Sequence, residues 1–356
     1  MNTAGQPKLI RLKDLAPAAL TTAVSELGEP PFRTKQIIKW VYQKRVDSFA
    51  VMTTMSKALR ARLAEKFTIN KMTRRALLVA AQGDAVKFGF ELIDSSDWVE
   101  CVLLYDGKRR TACLSSQLGC GLGCVFCATG KMGFIRNLSQ EEILGQLIGI
   151  NDYLAAKNDK PVTNIVFMGM GEALSNFDRL RSSLEIIMHE DAFNIGGRRI
   201  TISTAGVVPS IERLIAEDLN VGLAISLNAV SDRQRSELMP INTTYPIASL
   251  VAIAKSYFKK TGRRVTFEYV LIAGISDREQ DAAELERLLG GFPCKINCIP
   301  VNQCDNAAIR KPSNRRLLWF ADELHRRGLS ATIRKSRGED ICGACGQLAG
   351  GCAERQ

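Results

Sequence analysis

Three closely spaced cysteines are the residues of this sequence with the clearest capacity for chemistry. Cys120, Cys124 and Cys127 follow a C-x3-C-x2-C pattern in a glycine-rich segment that can wrap a compact inorganic group. Three thiolates leave one iron of a four-iron cubane without a protein ligand, so the spacing predicts a [4Fe-4S] cluster. The alternative is a four-thiolate zinc site completed by Cys113 or Cys101, although zinc sites usually carry paired C-x2-C knuckles and this segment has a single pair.

An open iron predicts a second cofactor. It can bind the amino and carboxylate groups of S-adenosylmethionine (SAM) and pass an electron to the sulfonium, which releases a 5′-deoxyadenosyl radical. Gly171 and Glu172 follow the apolar run NIVFM, where a glycine allows close approach of the backbone and a carboxylate can accept from the SAM ammonium group. Further small polar residues end the later strand-like runs, namely Ser203, Ser226, Asn228 and Asn302.

Strand-like and helix-like runs alternate after about residue 110. The β-rich runs TACLSS, NIVFMGM, RRITISTAG, VGLAISLNA, RRVTFEYVLIAG and KINCIPVN are separated by helical patterns, and Ser139 and Glu142 form an S-x-x-E capping box before the first helix. Such alternation is typical of parallel strands joined by helices. It predicts an α/β fold with a partial (β/α)6 barrel, whose strand ends bring the polar residues to one mouth.

Four segments follow from these patterns. Residues 1–72 carry apolar positions at helical spacing, as in PFRTKQIIKWVYQK and SKALRARLAEKF, and predict a small helical accessory domain. Residues 73–112 predict a short β linker, residues 113–338 the barrel, and residues 339–356 a C-terminal tail that carries Cys345. The basic face of the first domain is interpreted either as a grip for RNA or as an ordinary solvent-facing helix.

The charge of the chain suits a polyanionic partner. Its 356 residues carry a formal net charge of +11, and nine basic against two acidic residues lie between Arg310 and Arg337. Phosphates attract such clusters, although an ordinary solvated surface is the alternative. No stretch approaches the ~20 apolar residues of a membrane span and the start lacks a secretory or transit pattern, so we expect a cytoplasmic protein without membrane contact. Eleven cysteines then favour metal binding and catalysis over disulfides.

Several motifs together carry a family resemblance. They are CLSSQLGC, CVFCATG, MGMGEAL, ITISTAG, PCKINCIPVN and, near the end, RGEDICGACGQLAGG. With the N-terminal FRTKQIIKWVY and MTTMSKALR segments, they cover nearly the whole chain. The sequence resembles the radical-SAM adenine C2 methyltransferases that act on 23S ribosomal RNA and tRNA. The resemblance implies a radical-SAM barrel preceded by an RNA-binding accessory domain.

The resemblance also implies a mechanism that uses two SAM molecules per turnover. Cys345 resembles the cysteine that accepts a methyl group from the first SAM. The radical from the second SAM activates that methyl, which adds to carbon 2 of adenine and links the protein to RNA. Cys113 resembles the cysteine that resolves this adduct by a disulfide with Cys345, and Glu100 matches the position proposed to accept a proton.

Ligands and partners follow from the same resemblance. It implies adenosine 2503 of 23S rRNA and adenosine 37 of tRNA as targets, a low-potential flavodoxin or ferredoxin as electron donor, and a monomer as the default. The residues that resemble the family's SAM-binding positions are Gly171, Glu172, Ser203, Ser226, Leu227, Asn228 and Asn302.

Three other functions remain open at the level of sequence. Ala173 stands where many members of the family have proline, and MGMGEAL also resembles the sister enzymes that methylate adenine C8. A radical-SAM activase acting on a partner protein would need no methylated cysteine. A zinc-bearing RNA-binding protein would need no iron. The pair formed by Cys342 and Cys345 could also hold a metal in the tail.

Overall fold

The N-terminal helices bury one apolar stripe each against a common core. In the computed structural model, which describes residues 9–302 and 309–349, α1 spans Pro17–Ser25, α2 Phe32–Ile38 with a π-helical extension over Lys39–Gln43, and α3 Lys57–Lys66. Two short parallel strands, β1 (Ile10–Arg11) and β2 (Phe67–Thr68), bring the two ends of this unit together. The helices predicted over PFRTKQIIKWVYQK and SKALRARLAEKF are confirmed.

Parts of two predicted segments lie outside the described residues. These are residues 1–8 of the accessory domain, residues 303–308 of the barrel with Cys304, and residues 350–356 of the tail with Cys352.

Ten strands form one continuous sheet with the order β14-β13-β12-β11-β10-β9-β6-β5-β4-β3. A separate antiparallel pair joins β7 to β8. The strands after β2 are β3 Arg74–Val79, β4 Ala85–Glu91, β5 Trp98–Asp106, β6 Arg109–Cys113, β7 Gln117–Cys120, β8 Gly133–Asn137, β9 Asn164–Phe167, β10 Ile200–Thr204, β11 Gly222–Ser226, β12 Thr266–Leu271, β13 Lys295–Pro300 and β14 Ala331–Ile333.

The helices after α3 connect the parallel strands, except the first and shortest of them, which lies between β7 and β8. They are α4 Ala128–Lys131, α5 Gln140–Ala156, α6 Phe177–Met188, α7 Val208–Ala216, α8 Asp232–Leu238, α9 Ile247–Thr261, α10 Glu279–Leu289 and α11 Asn314–Arg326. Short 3-10 turns lie at Leu12–Asp14, Phe49–Val51, Ala173–Asn176, Gly197–Arg199 and Pro240–Thr243.

The parallel part of the sheet is the predicted partial barrel. β6 and β9 to β13 run parallel and each is followed by at least one helix, which gives six βα units. The short β14 then pairs parallel with β13 and was not predicted. The predicted capping box is also present, because Ser139 Oγ accepts from the Glu142 N–H and the Glu142 carboxylate accepts from the Ser139 N–H.

The segment predicted as a β linker belongs to the same sheet as the barrel. β3, β4 and β5 are antiparallel neighbours, and β5 pairs with β6 from Val102 opposite Cys113 to Asp106 opposite Arg109. Alternating apolar residues identify a strand but not its partner, so the sequence did not reveal this pairing.

The N-terminal helical unit rests on α5. Gln140 Nε2 donates to the carbonyl oxygen of Lys13 (2.7 Å), and the Asn70 side chain donates to Glu141 (3.1 Å). α5 is consequently buried over most of its surface. Among the described residues, no helix is both long enough and apolar enough to cross a membrane.

Candidate functional site

The loop with the three cysteines is the connection of the β7–β8 hairpin. Gly119 adopts a φ of +71°, and a Cβ added there would overlap the carbonyl oxygen of Gly133, so only glycine fits this turn. The loop is fixed from two sides, because the Val125 N–H donates to Leu238 O (3.1 Å) and the Ala128 N–H donates to Gly346 O (2.7 Å). One contact comes from the barrel and the other from the C-terminal tail.

The loop closes one wall of a cavity at the carboxyl ends of the parallel strands. The cavity has an empty volume of about 990 Å³ and opens to solvent. Nearly all of the predicted cluster and SAM residues line it, namely Cys120, Cys124, Cys127, Gly171, Glu172, Ser203, Ser226, Asn228 and Asn302. Leu227 does not line it, because its side chain is buried and its N–H donates to Glu268 O (3.0 Å).

Glu172 is a carboxylate placed inside this cavity. It follows β9, is 5% exposed, and accepts from the N–H groups of Ala205 (2.7 Å) and Leu174 (3.1 Å). Burial raises the pKa of Glu172, partly offset by these hydrogen bonds. A buried carboxylate of this kind fits a cationic ligand such as the SAM ammonium group. Gly171 has a φ of +92°, and a Cβ added there would overlap Gln117, so this position next to Glu172 requires glycine.

Asparagines shape the other wall. Asn228 has a left-handed backbone (φ +58°), and its Oδ1 accepts from the Val270 N–H (3.0 Å), which ties β11 to β12. Asn302, after β13, donates to the carbonyl oxygen of Cys345 (2.9 Å) and accepts from the Ser336 hydroxyl (2.7 Å). Asn302 therefore also anchors the tail, a contact that the sequence did not suggest.

The donor set of the loop fits an iron-sulfur cluster. Burial raises the pKa of Cys120 to about 11 and that of Cys124 to about 12, so these thiols need a cationic partner to exist as thiolates. Within residues 9–302 and 309–349, no three His, Cys, Asp or Glu side chains are grouped to hold a metal ion. The cluster assignment therefore rests on the spacing, the shared cavity and the family evidence given below.

The C-terminal tail carries Cys345 over this cavity. The Thr129 hydroxyl donates to Leu348 O (2.5 Å), and the Ala349 N–H donates to Oε2 of Glu100 (3.0 Å). Cys345 lines the cluster cavity and also a second cavity on the other side of the tail. Cys345 and Asn302, whose side chain bonds the Cys345 carbonyl oxygen, are thus the predicted site residues that line both spaces.

Glu100 lies beneath the tail and lines neither cavity. Its side chain is 1% exposed and forms an ion pair with Lys87 (3.2 Å), whose own side chain is 3% exposed. Lys87 also donates to Cys342 O at 3.5 Å. Lys87 was not identified from the sequence, because a lysine in the alternating strand AVKFGFELI is ordinarily solvent-exposed.

Cys113 ends β6 and faces the second cavity. Burial raises its pKa to about 12, with a smaller contribution from Cys345. The cavity that the two cysteines share has an empty volume of about 1330 Å³. Its lining is mainly basic, with Arg109, Arg334, Lys335 and Arg337, and includes Asp106, which pairs with Arg337 (3.0 Å). In the described part of the chain, both cysteines are free thiols. The structure thus places Cys113 and Cys345 at one cavity, the two cysteines that the family resemblance pairs.

Two charged residues of the site were not recognised as such from the sequence: Glu268 was not identified, and Arg334 was assigned to the basic segment that faces RNA. Glu268 lines the cluster cavity and accepts from Asn297 Nδ2 (2.7 Å), yet its run FEYVLI reads as an ordinary strand. Arg334 belongs to the basic segment predicted to meet RNA, but it lines both cavities and its Nη1 lies 3.4 Å from the sulfur of Met168. Neither position carries a motif by itself.

A partial barrel with a three-cysteine loop at its mouth defines a radical SAM enzyme. A family model described as "Radical SAM superfamily" matches residues 114–285, and one described as "Ribosomal RNA large subunit methyltransferase N-terminal domain" matches residues 10–69. A [4Fe-4S] cluster and SAM are the cofactors of this class, and hence of this chain.

Known proteins resemble the chain over nearly its whole length. The curated "Dual-specificity RNA methyltransferase RlmN" of Anaeromyxobacter sp. is 43% identical over 342 residues, which are 95% of this chain and 90% of that protein. The protein of the same name from Alkalilimnicola ehrlichii is 42% identical over 347 residues, with coverages of 97% and 95%. The crystal structure of a radical SAM methyltransferase from Sphaerobacter thermophilus is 41% identical, has a TM-score of 0.90, and covers 96% of this chain and all of its own. The chain belongs to the RlmN family of RNA methyltransferases.

Proposed function

We propose that this protein methylates carbon 2 of adenine in 23S rRNA and in tRNA. The observation that carries the proposal is the position of Cys345 between two cavities, one lined by the cluster cysteines and one by Cys113. The names of the curated relatives support an RNA substrate. The comparisons do not favour the C8 alternative.

The cluster cavity would bind SAM next to the cluster. The cluster and SAM, when bound, supply a 5′-deoxyadenosyl radical. Glu172 would accept from the ammonium group of SAM, and Gly171 lines the same wall of the cavity. The polar groups that would hold the rest of SAM are Ser203, Ser226, Asn228 and Asn302. The backbone of Leu227 instead bonds to Glu268 O and to Arg235, so Leu227 supports this wall from behind.

Two cysteines carry the methyl group and release the product. The Cys345 thiolate attacks the methyl carbon of one SAM, so a sulfur–carbon bond forms and S-adenosylhomocysteine leaves with the electron pair. A second SAM is consumed when this methyl is activated and joined to carbon 2. The Cys113 thiolate then attacks the sulfur of the Cys345–RNA adduct and forms a disulfide. The sulfur–carbon bond breaks, its electron pair stays on the RNA side, and the released carbon takes up a proton to complete the methyl group.

Glu100 receives the proton that carbon 2 must lose. In the structure its carboxylate is engaged by Lys87 and by the Ala349 N–H. The tail must therefore shift before Glu100 can reach substrate. This shift and delivery of the methyl group involve the same segment, because Cys345 and Ala349 lie four residues apart.

The substrate base enters through the second cavity, whose basic rim suits RNA phosphates. Carbon 2 is inaccessible in a stacked helix, so an unpaired or splayed adenosine is required. We further propose a low-potential flavodoxin or ferredoxin as electron donor, a monomeric enzyme and a cytoplasmic location, in keeping with the free cysteines among the described residues.

The test is an anaerobic reaction with SAM, reductant and unmethylated 23S rRNA or tRNA, followed by digestion and mass spectrometry against 2-methyl and 8-methyl adenosine standards. The expected product is 2-methyladenosine, with Cys345→Ala inactive and Cys294→Ala, a buried cysteine that lines neither cavity, fully active. An 8-methyl product, or methylation at wild-type rate by Cys345→Ala, refutes the proposal. SAM cleavage with Cys345 unmodified points instead to an activase.

A further inference from the structure

Arg235 is a fully buried arginine near the cluster loop. It lies on α8, and its side chain has no exposed surface. Its guanidinium donates five hydrogen bonds, and every acceptor is an uncharged oxygen. The acceptors are Leu227 O (3.0 Å), Ser226 O (3.0 Å), Ala205 O (2.6 Å), Asn242 Oδ1 (3.1 Å) and Tyr245 O (3.4 Å).

These bonds join three parts of the SAM site. Ala205 follows β10, Ser226 ends β11 and Leu227 follows it, so one guanidinium joins the carboxyl ends of two neighbouring strands. The remaining bonds fix the turn that follows α8 through Asn242, whose Nδ2 in turn donates to Asp232 O (3.0 Å). Arg235 therefore sets the wall against which SAM must bind.

The buried positive charge of Arg235 is not neutralised by its hydrogen-bond partners, because all five acceptors are uncharged. Burial lowers the pKa of Arg235 to about 10, so it is still positively charged at neutral pH. A buried charge ordinarily has an anionic partner. The nearby acidic groups that act on Arg235 are, in order of effect, the Cys124 thiol and the Asp232 carboxyl. Asp232 Oδ1 accepts from the Ile247 N–H (2.9 Å) instead.

The chain that carries Arg235 also supports the cluster loop. Leu238, at the end of α8, accepts from the Val125 N–H (3.1 Å), and Gly123 faces Pro240. Met239 lines the cluster cavity beside Cys124. The helix that carries this positive charge thus contacts the part of the loop with the middle cluster ligand, and Cys124 is close enough to act electrostatically on Arg235.

We propose that Arg235 is a positioning residue that clamps the ends of β10 and β11 and places a positive charge behind the cluster, so that the cluster is easier to reduce. The inference rests on the proposed function only in requiring a cluster on Cys120, Cys124 and Cys127. Reduction by the low-potential donor adds one negative charge, which a neighbouring cation stabilises. The net charge near a cluster is one of the factors that set its potential.

The test is a redox titration of the cluster-loaded protein without SAM, followed by electron paramagnetic resonance. A unit charge roughly 10 Å from a site, at an effective dielectric constant of about 20, changes an equilibrium there about tenfold. Arg235→Met should therefore lower the ratio of reduced to oxidised cluster at a fixed potential about tenfold, which is a shift of about 59 mV for one electron. Arg235→Lys keeps the charge and should keep the wild-type potential.

A matched control lies on the same helix. Arg233 has a 93% exposed side chain, so Arg233→Met makes the same change of charge in water and should leave the potential unchanged. SAM binding, measured by calorimetry on the oxidised protein, distinguishes the clamp on β10 and β11 from the effect of the charge on the cluster. Arg235→Lys and Arg235→Met both lose the forked contacts to β10 and β11, so both should bind SAM at least tenfold more weakly than wild type.

A second variant keeps the idea testable if Arg235→Met does not fold. Asn242→Asp places a carboxylate where Arg235 Nη1 already donates, so it cancels the charge while retaining the arginine, and it should shift the potential in the same direction. If Arg235→Met, or Asn242→Asp where Arg235→Met does not fold, has the same reduction potential as wild type and Arg233→Met, the inference is overturned. The proposed function is then unaffected. A wild-type protein that binds no iron overturns the proposed function as well.

Discussion

Replacing Lys87 by methionine removes the cation from a deeply buried ion pair. The Lys87 and Glu100 side chains are 3% and 1% exposed, and their charged atoms lie 3.2 Å apart. The substitution keeps the volume of the aliphatic stem but removes the buried ammonium group that pairs with the Glu100 carboxylate. The Ala349 N–H still donates to the other carboxylate oxygen, so part of the charge remains solvated by the protein.

The expected loss is about 3 kcal/mol in the free energy of unfolding, at the lower end of the range for breaking a buried pair. Lys87→Met combined with Glu100→Gln removes both charges and retains an acceptor for Ala349, so it should lose only about 1 kcal/mol. At roughly 2 °C per kcal/mol for a chain of this size, the melting temperature should fall by about 6 °C in the single variant and about 2 °C in the double variant.

The assay is thermal unfolding of anaerobically purified protein with matched iron content, monitored by circular dichroism. Arg213→Met is the control, because it breaks an ion pair with Asp178 whose side chains are 52% and 82% exposed, and it should change stability by less than about 1 kcal/mol. If the single variant is as stable as the double variant, Lys87 and Glu100 are not energetically coupled and the reasoning fails.

Other consequences of the structure are open to equally direct measurement. Burial raises the pKa of Cys113 to about 12, so its thiolate is scarce at neutral pH. Alkylation of Cys113 by iodoacetamide in native protein, monitored by mass spectrometry, should therefore be about a thousandfold slower at pH 8 than in the unfolded chain. Its rate should rise about tenfold per pH unit. A rate at pH 8 equal to that of unfolded protein would contradict the assigned burial. Gly119→Ala should lose most of the bound iron, because its Cβ overlaps the Gly133 carbonyl. Gly133→Ala is the control and should retain iron, because Gly133 has a similar φ of +70° but open space around it. Equal iron contents in the two variants would count against this turn geometry. Ser139→Ala removes the cap of α5 and should cost about 1 kcal/mol in unfolding measurements, while an unchanged stability would show that Glu142 alone caps the helix.

Local patterns were sufficient where neighbours in the sequence decide the structure. The capping box at Ser139 depends on residues three positions apart, and the C-x3-C-x2-C spacing depends on a single loop. The six βα units were predictable because a parallel strand needs a helical crossover, which leaves a repeated apolar period in the chain. The family motifs suggested the proposed roles of Cys345 and Cys113, which lie 232 positions apart and share no local pattern.

Tertiary structure decided everything that depends on which distant segments meet. Lys87 looks like a surface residue until β4 is placed beside β5 and the tail covers its partner Glu100. Arg235 looks like one of several charges in the helix DRQRSEL until the mouths of β10 and β11 close around it. The sequence by itself determined the cluster loop, the barrel and the family, because these are written in short spacings and regular periods. Only the packed structure decided which charges are buried, because burial depends on neighbours that are remote along the chain.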